Sequence, residues 1–349
     1  MVYTGRPMSP RRRTVSAVLT AGAILVGSIS CERSPTTPAA SRSGGVRAIT
    51  LVDWTADGYA QPAADASIQA VAATGANTVV IIVTAYQTSP ASSAVRTDDP
   101  RTPTPASVAQ AVTRARALGL SVSIKPHVDL DDGSWRGHID PASPTAWFAS
   151  YREFVLVWAA FAAAHDVAQF VVGTELAGTL PHSGEWEETI RGVRDVFSGE
   201  LVYAASWDEA GRVPFWRDMD LVGVDFYFPV ARRTRPGRLE ILAEWQPWLE
   251  RLHLLHRQTG RPVLLTEIGY RSVDGAGMHP YQFGDAARID VGEQADLYWA
   301  ALEAIADESW IAGLCWWNWP ADGSGGPDDD DYTPHGKPAE SELTAAWGP

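Results

Sequence analysis

Two glutamates, Glu175 and Glu267, are the residues of this chain whose type and context best fit catalysis. Each follows an apolar run and a threonine, in the segments Gly173-Thr174-Glu175-Leu176 and Thr266-Glu267-Ile268-Gly269. A carboxylate at the end of an apolar strand is costly unless it is paired or used. Two carboxyl groups about 5–5.5 Å apart can perform retaining glycoside hydrolysis, in which one protonates the leaving oxygen and the other attacks the anomeric carbon. The alternative is that each glutamate caps a turn or pairs with an arginine.

Eight short apolar runs, rich in β-branched residues, must position these two glutamates. We expect strands at 46–54, 77–86, 120–130, 168–176, 201–206, 221–228, 262–269 and 311–319. Near-continuous apolar runs are typical of parallel strands that are buried on both faces. The order predicts an α/β fold, a (β/α)8 TIM barrel in one catalytic domain over residues 46–349. The competing layout is an open doubly wound sheet, but no Gly-rich phosphate turn follows the first run.

The helices between the runs are marked by end signals and by apolar spacing. Thr104 is expected to cap a helix that begins at Pro105 and stops before Gly119. Aromatic and apolar residues at helical spacing predict further helices around 147–161 and 186–197. The stretch 206–220 is irregular and is expected to hold a short helix at most.

Polar and aromatic residues end the apolar runs, where a barrel of this kind carries its active site. The chain has 15 Trp, more than core packing alone requires, and an indole face suits the apolar face of a sugar ring. We expect substrate contacts from the following residues: Trp54, His127, Trp135, Trp207, Asp225, Trp316, Trp317 and Trp319. Trp317 is the candidate floor beneath the cleaved sugar, whereas Trp316 and Trp319 could equally belong to the core.

His127 and the acidic run Asp328-Asp329-Asp330-Asp331 are the segments to consider for metal binding. No second histidine lies at ligand spacing from His127, so we expect it to bind a sugar hydroxyl or to have a structural role. The acidic run could bind calcium, but a solvated charge run in a mobile loop is the favoured interpretation. We therefore predict no metal site and no cofactor.

Seven segments of this chain resemble glycoside hydrolase clan A, and more specifically glycoside hydrolase family 113, the β-mannanase family. The similar segments are Lys125-Pro126-His127-Val128-Asp129, Trp135-Arg136-Gly137, Gly173-Thr174-Glu175-Leu176, Asp225-Phe226-Tyr227, Thr266-Glu267-Ile268-Gly269-Tyr270, Trp316-Trp317-Asn318-Trp319 and Gly336-Lys337-Pro338-Ala339. The resemblance covers roughly residues 46–347. Most of clan A has Asn before the acid/base, whereas this chain has Thr174, so the residue that holds the sugar 2-hydroxyl stays open.

The resemblance implies specific roles and a substrate. Glu175 would be the acid/base and Glu267 the nucleophile, and Tyr227 would donate a hydrogen bond that stabilises the Glu267 carboxylate. The substrate would be β-1,4-mannan, cut internally by a double displacement. The choice of mannan rests on the resemblance alone. Alternatives are a barrel hydrolase of another β-glycan, such as glucan or xylan, and a surface lipoprotein that binds glycans without catalysis.

The N-terminus has the features of an export signal. Arg11, Arg12 and Arg13 precede an apolar stretch, 15–27, that is too short to span a bilayer, and small residues then lead to Cys31. We interpret residues 1–30 as a lipoprotein-type signal peptide and 31–45, which are rich in Ser, Thr, Pro and Gly, as a flexible tether. The protein is thus expected in the bacterial cell envelope, with plain secretion as the alternative.

Charge and cysteine content limit the partners. The formal net charge is −14, and the proposed signal peptide contributes four arginines and no acids, so nucleic acid is an improbable partner. The two cysteines cannot form a disulfide framework if Cys31 carries lipid, and they offer no Cys-based metal site. We expect a monomer that binds a polysaccharide or oligosaccharide and contacts the membrane only through the lipid anchor.

The lipid anchor is directly testable. Cells that express the chain in the presence of radiolabelled palmitate are expected to label the wild-type protein but not the Cys31→Ala variant, because only a thiol at that position can carry the thioether-linked lipid. Label that persists in Cys31→Ala, or soluble protein cleaved at another site, would exclude the anchor.

Overall fold

A closed barrel of eight parallel strands is the framework of the protein in the computed structural model, which describes residues 45–283 and 287–348. Each strand pairs with the next along the chain, and the eighth pairs with the first. The strands are β1 (Val46–Val52), β2 (Thr78–Gln87), β3 (Ser121–Leu130), β4 (Gln169–Thr174), β5 (Glu200–Ser206), β6 (Leu221–Phe226), β7 (Val263–Ile268) and β8 (Ile311–Pro320). The (β/α)8 barrel predicted from the eight apolar runs is therefore confirmed. Cys31 and the proposed signal peptide lie outside the described residues.

Helices make most of the crossovers that parallel strands require. They are α1 (Pro62–Ala73), α2 (Pro105–Ala117), α3 (Pro144–Ala164), α4 (Ser183–Val196), α5 (Arg238–Thr259), α6 (Val291–Ile305) and α7 (Pro338–Trp347). The irregular connection between β5 and β6 is built from two 3-10 turns, Ala210–Arg212 and Trp216–Asp218. Among the helices of the described ranges, none is long and apolar enough to cross a membrane.

The start of α2 shows how local chemistry fixes an element end. The Thr104 hydroxyl accepts a hydrogen bond from the Ser107 amide at 3.2 Å, and Pro105 is the first helical residue. The side-chain oxygen thus satisfies an amide that would otherwise lack a partner at the helix start. The helix ends two residues before Gly119, as its sequence predicts.

The barrel interior changes from apolar to charged along the strand direction. Small and branched residues fill its lower part, among them Val46, Val80, Val202 and Leu264. A larger apolar cluster seals the outer faces of the strands against the helices. Charged side chains inside the barrel occur further along the strands, toward their C-terminal ends. The apolar plug below leaves those charges with each other as partners.

Barrel closure depends on a glycine in β8. Gly313 lies opposite Val46 of β1 and has a φ of 136°, and a Cβ atom there would lie 2.0 Å from the Val46 carbonyl oxygen. The neighbouring atom belongs to the backbone of the paired strand, so a rotamer change cannot relieve the overlap.

We expect Gly313→Ala to lower the free energy of unfolding by about 3 kcal/mol or more, because it combines backbone strain with a clash across the closing strand pair. Gly119→Ala is the matched control, since Gly119 also has positive φ but its Cβ would meet no described atom within 4 Å. The control is expected to cost only the strain of the left-handed backbone, about 1–2 kcal/mol. Equal losses in denaturant titrations of the two variants would contradict this account.

Candidate active site

Glu267 is held from two sides at the C-terminal end of β7. Its Oε1 accepts a hydrogen bond from Lys125 Nζ of β3 at 2.5 Å, and its Oε2 accepts one from the Tyr227 hydroxyl, just after β6, at 2.8 Å. The side chain is almost fully buried. Two donors on two different oxygens fix the plane of the carboxylate and stabilise its negative charge.

The Lys125 ammonium is shared between two carboxylates. Its Nζ also donates to Asp225 Oδ1 at 3.1 Å and to the Thr266 carbonyl at 3.3 Å, and the Thr266 hydroxyl donates to the same Oδ1 at 2.7 Å. Burial opposes the charge of Lys125, but the charges of Asp225 and Glu267 outweigh it and raise the lysine pKa. Burial and the charge of Glu267 raise the pKa of Asp225, whereas the Lys125 ammonium at 3.1 Å and the Thr266 hydroxyl act in the opposite direction and stabilise the carboxylate form.

Lys125 was part of a resembling segment in the sequence but was not predicted as a site residue. The available signal was its position, because a lysine in the middle of an apolar strand needs a buried partner. The sequence did not reveal which carboxylates would be those partners.

Glu175 follows β4 with an unusual backbone. Its φ is 52°, in the left-handed region, and its amide donates to the Ala204 carbonyl of β5 at 2.7 Å. Its Oε2 accepts a hydrogen bond from the Trp135 indole at 2.9 Å. Burial and the negative charge of Glu267 raise the pKa of Glu175 to about 7. A large share of the Glu175 side chains is therefore protonated at neutral pH, and this share depends on the charge of Glu267.

His127 is locked into one tautomer by Arg136. The guanidinium donates to His127 Nδ1 at 2.9 Å and to Asp129 Oδ1 at 2.6 Å. Because a guanidinium can only donate, Nδ1 accepts and the ring proton lies on Nε2. Burial and the charges of Arg136 and Lys125 lower the pKa of His127 well below its usual value, so the ring is neutral. The Nε2 atom lies 3.6 Å from Glu267 Oε1.

Four of the predicted aromatic contacts offer surface to a ligand. Trp54 and Trp135 are 41% and 40% exposed, and Trp207 and Trp317 are partly exposed. Trp317 lies parallel to the His127 ring at 5.9 Å, and Trp207 is stacked on Tyr281 at 6.1 Å. Tyr281, which the sequence did not single out, extends the aromatic surface of the β5 end through the β7–α6 loop.

Three of the predicted contacts are fully buried in this structure. Trp316 stacks on Tyr298 at 3.7 Å, Trp319 packs against His335 at 4.5 Å, and Asp225 lies beneath Lys125. The side chains of Trp316, Trp319 and Asp225 have no exposed surface. In this arrangement the three side chains pack within the core, as the alternative for Trp316 and Trp319 expected.

The acidic run is exposed at Asp328 and Asp331, as expected of a solvated segment, but two of its carboxylates are held by cations. The buried Lys337 Nζ donates to Asp329 Oδ1 at 2.6 Å, to Ser272 Oγ at 2.9 Å and to the Asp331 carbonyl at 3.0 Å. Arg271 pairs with Asp330 Oδ2 at 2.8 Å. The run is thus anchored by side-chain cations, and an ammonium lies where a bound metal cation would otherwise be sought.

Within the described ranges, a second acidic group has ligand atoms close enough for a metal. Oxygens of Asp274, Asp290 and Glu293 lie within 4.8 Å of one another. Arg235 and Arg288 lie against the two aspartates, and Glu293 accepts hydrogen bonds from the Gly275 and Arg235 amides. These arginines and amides already compensate the negative charge of the group.

Comparisons with known proteins identify the family and agree with the fold. The model of Glycoside Hydrolase Family 113 matches residues 52–337. A GH113 β-mannanase, AaManA from Alicyclobacillus acidocaldarius in complex with ManMIm, superposes with a TM-score of 0.81 at 28% identity, covering 88% of this chain and 99% of that one. A complex structure of GH113 β-1,4-mannanase gives 0.80 at 25% identity, covering 87% and 98%. A β-glucuronidase of Faecalibacterium prausnitzii, at 12% identity and 0.58, covering 87% and 48%, shares the fold alone. No curated protein matches the sequence.

The pKa of Glu175 is expected to move in opposite directions in two variants. Glu267→Gln removes a negative charge that raises this pKa, so it is expected to fall below about 7. Trp135→Phe removes a hydrogen bond to the carboxylate, so it is expected to rise. Titration by ¹³C NMR of protein labelled at the glutamate carboxyl carbons measures both, with Glu175→Gln assigning the resonance. An unchanged or higher pKa in Glu267→Gln would show that Glu175 does not sense Glu267, and a lower pKa in Trp135→Phe would contradict the effect of the indole hydrogen bond.

Proposed function

The chain belongs to glycoside hydrolase family 113, as its motifs predicted, and from this premise we propose that it is a retaining endo-β-1,4-mannanase. The observation that carries the proposal is the presence of two carboxyl groups in different environments at the ends of β4 and β7. Glu175 has a pKa raised to about 7, and Glu267 accepts hydrogen bonds from Lys125 and Tyr227. One group suits proton donation and the other nucleophilic attack.

In the first step Glu175 protonates the leaving oxygen while a Glu267 oxygen attacks the anomeric carbon. The bond between that carbon and the leaving oxygen breaks, and an ester joins the sugar to Glu267. Esterification removes the negative charge of Glu267, which is one cause of the raised Glu175 pKa. That pKa then falls, so Glu175 can take a proton from the water that hydrolyses the ester.

The neighbouring residues divide into groups that hold the carboxylates and groups that hold the sugar. Tyr227 orients Glu267, and Trp135 contacts Glu175. We assign Trp317 as the floor beneath the cleaved sugar and the Nε2–H of neutral His127 as a donor toward the atoms beside the nucleophile. Trp54 and Trp207 are partly exposed and are assigned to sugar rings further from the cleaved bond.

The substrate assignment follows the named relatives. The alignments with the two GH113 β-mannanase structures include nearly the whole length of those chains, at 25% and 28% identity. Partly exposed tryptophans on different strands suit a polymer that spans several rings, which favours internal cleavage. We further propose that the protein is exported and tethered through Cys31, and that it acts as a monomer on glycans outside the cytoplasm.

A substrate panel tests the choice of sugar. We expect release of reducing ends from mannan and glucomannan but not from xylan or β-glucan, with an early loss of mannan viscosity because chains are cut internally. The Glu267→Gln variant supplies the background. Hydrolysis of xylan or β-glucan with intact mannan would exclude the mannanase assignment while leaving a barrel hydrolase; no hydrolysis of any glycan would favour a binding protein.

Azide rescue tests the roles of the two glutamates. Either Ala variant is expected to lose several orders of magnitude in rate on polymer, about 10³-fold or more. With an activated aryl β-mannoside, Glu175→Ala still forms the ester, because a good leaving group needs no proton, and azide then gives the β-glycosyl azide. Glu267→Ala lacks the nucleophile, so azide attacks directly and gives the α product. Swapped configurations, read by NMR, would reverse the two roles.

A further inference from the structure

The charge held around Lys125 has to change when Glu267 reacts. In the resting site one ammonium faces two carboxylates, at 2.5 Å from Glu267 Oε1 and 3.1 Å from Asp225 Oδ1. All three side chains are at least nine-tenths buried. In the double displacement proposed above, Glu267 becomes a neutral ester, and its negative charge reappears on Glu175, which has given up its proton. Lys125 then loses one of its two counter-charges.

A buried ammonium without a counter-charge is strongly unfavourable. Asp225 is the group that remains in contact with Lys125, because its Oδ1 also accepts a hydrogen bond from Thr266 Oγ1 at 2.7 Å and has no exposed surface. Its other oxygen, Oδ2, has no hydrogen-bond partner among the described residues. Among the described residues, the hydrogen-bond partners of the Asp225 side chain are Lys125 and Thr266. Because the side chain is fully buried, it does not contact a sugar in this arrangement.

We infer that Asp225 is a positioning residue that supplies the counter-charge of Lys125 while Glu267 is esterified in the glycosyl-enzyme. This inference rests on the proposed function. With Asp225 present, the three groups pass from one net negative charge to none when the ester forms. With asparagine in its place, they would pass from none to one net positive charge in a buried site. Asp225 thus favours formation of the ester and does not help its hydrolysis.

The two steps are separable with 2,4-dinitrophenyl 2-deoxy-2-fluoro-β-mannoside as the probe. Loss of activity measures ester formation, and recovery after removal of the reagent measures ester hydrolysis. We expect Asp225→Asn to slow formation by about tenfold or more while recovery stays as fast as in the wild type or becomes faster. Thr266→Val is the matched control, because it removes the other hydrogen bond to Asp225 without changing charge, and it is expected to change both rates by the same factor.

Two outcomes would overturn the inference: equal changes of both rates in Asp225→Asn, or no change in either. If Asp225→Asn does not fold, the double variant Lys125→Met with Asp225→Asn, which has no charge at either position, replaces it. In this variant, as in the wild type, the three positions pass from one net negative charge to none when the ester forms. The ratio of the formation rate to the recovery rate is therefore expected to equal that of the wild type, and a different ratio contradicts the proposal. Mass spectrometry of the peptide that carries Glu267 distinguishes failure of the proposed function from failure of the inference about Asp225. Absence of the wild-type adduct there refutes the nucleophile assignment, whereas an adduct with an unmoved rate ratio refutes only the role of Asp225.

Discussion

The charges inside this barrel have to be matched within the barrel, and much of the site follows from that constraint. The lower part of the interior is filled by apolar side chains, so water does not serve the charged groups above it. Lys125 is matched by Asp225 and Glu267, and Arg136 by Asp129. The same rule applies at the edge of the site, where the buried Lys337 is matched by Asp329. Each cation orders the acidic group that it contacts.

These pairs give the two glutamates different environments although both stand at strand ends. Glu267 receives an ammonium and a phenol on its two oxygens, whereas Glu175 receives one indole N–H and the repulsion of Glu267. Glu175 therefore holds its proton near neutral pH. The neutral His127 lies between the Arg136 pair and Glu267, with Nε2 3.6 Å from Glu267 Oε1. The different environments thus arise from partners on β3 and β6, as well as from the glutamates themselves.

The sequence predicted the barrel well because burial on both faces leaves a signal in every strand. The positions of the two glutamates at strand ends were predictable for a related reason, since each follows directly on an apolar run. The directions of neighbouring side chains were harder to predict. The pairing of β7 with β8 shifts register between Leu265 and Ile268, and the pairing of β6 with β7 shifts between Val224 and Asp225. Simple alternation along a strand consequently fails there, and the full burial of Asp225, Trp316 and Trp319 could not be predicted from the sequence. The anchoring of the acidic run by Lys337 depends on contacts between segments that the sequence alone does not bring together.

The left-handed backbone of Glu175 sets stability against activity at a single position. A non-glycine residue in that conformation costs about 1–2 kcal/mol, and its partly buried carboxyl adds an unfavourable environment for charge. Asparagine or glycine tolerates the same backbone more easily, so replacements that would remove the proton-transfer role proposed for Glu175 can also relieve strain. Laboratory evolution of this enzyme for heat resistance would therefore favour loss of Glu175 whenever the screen reports folded protein without measuring turnover. Every round of such a selection has to score hydrolysis to retain the acid.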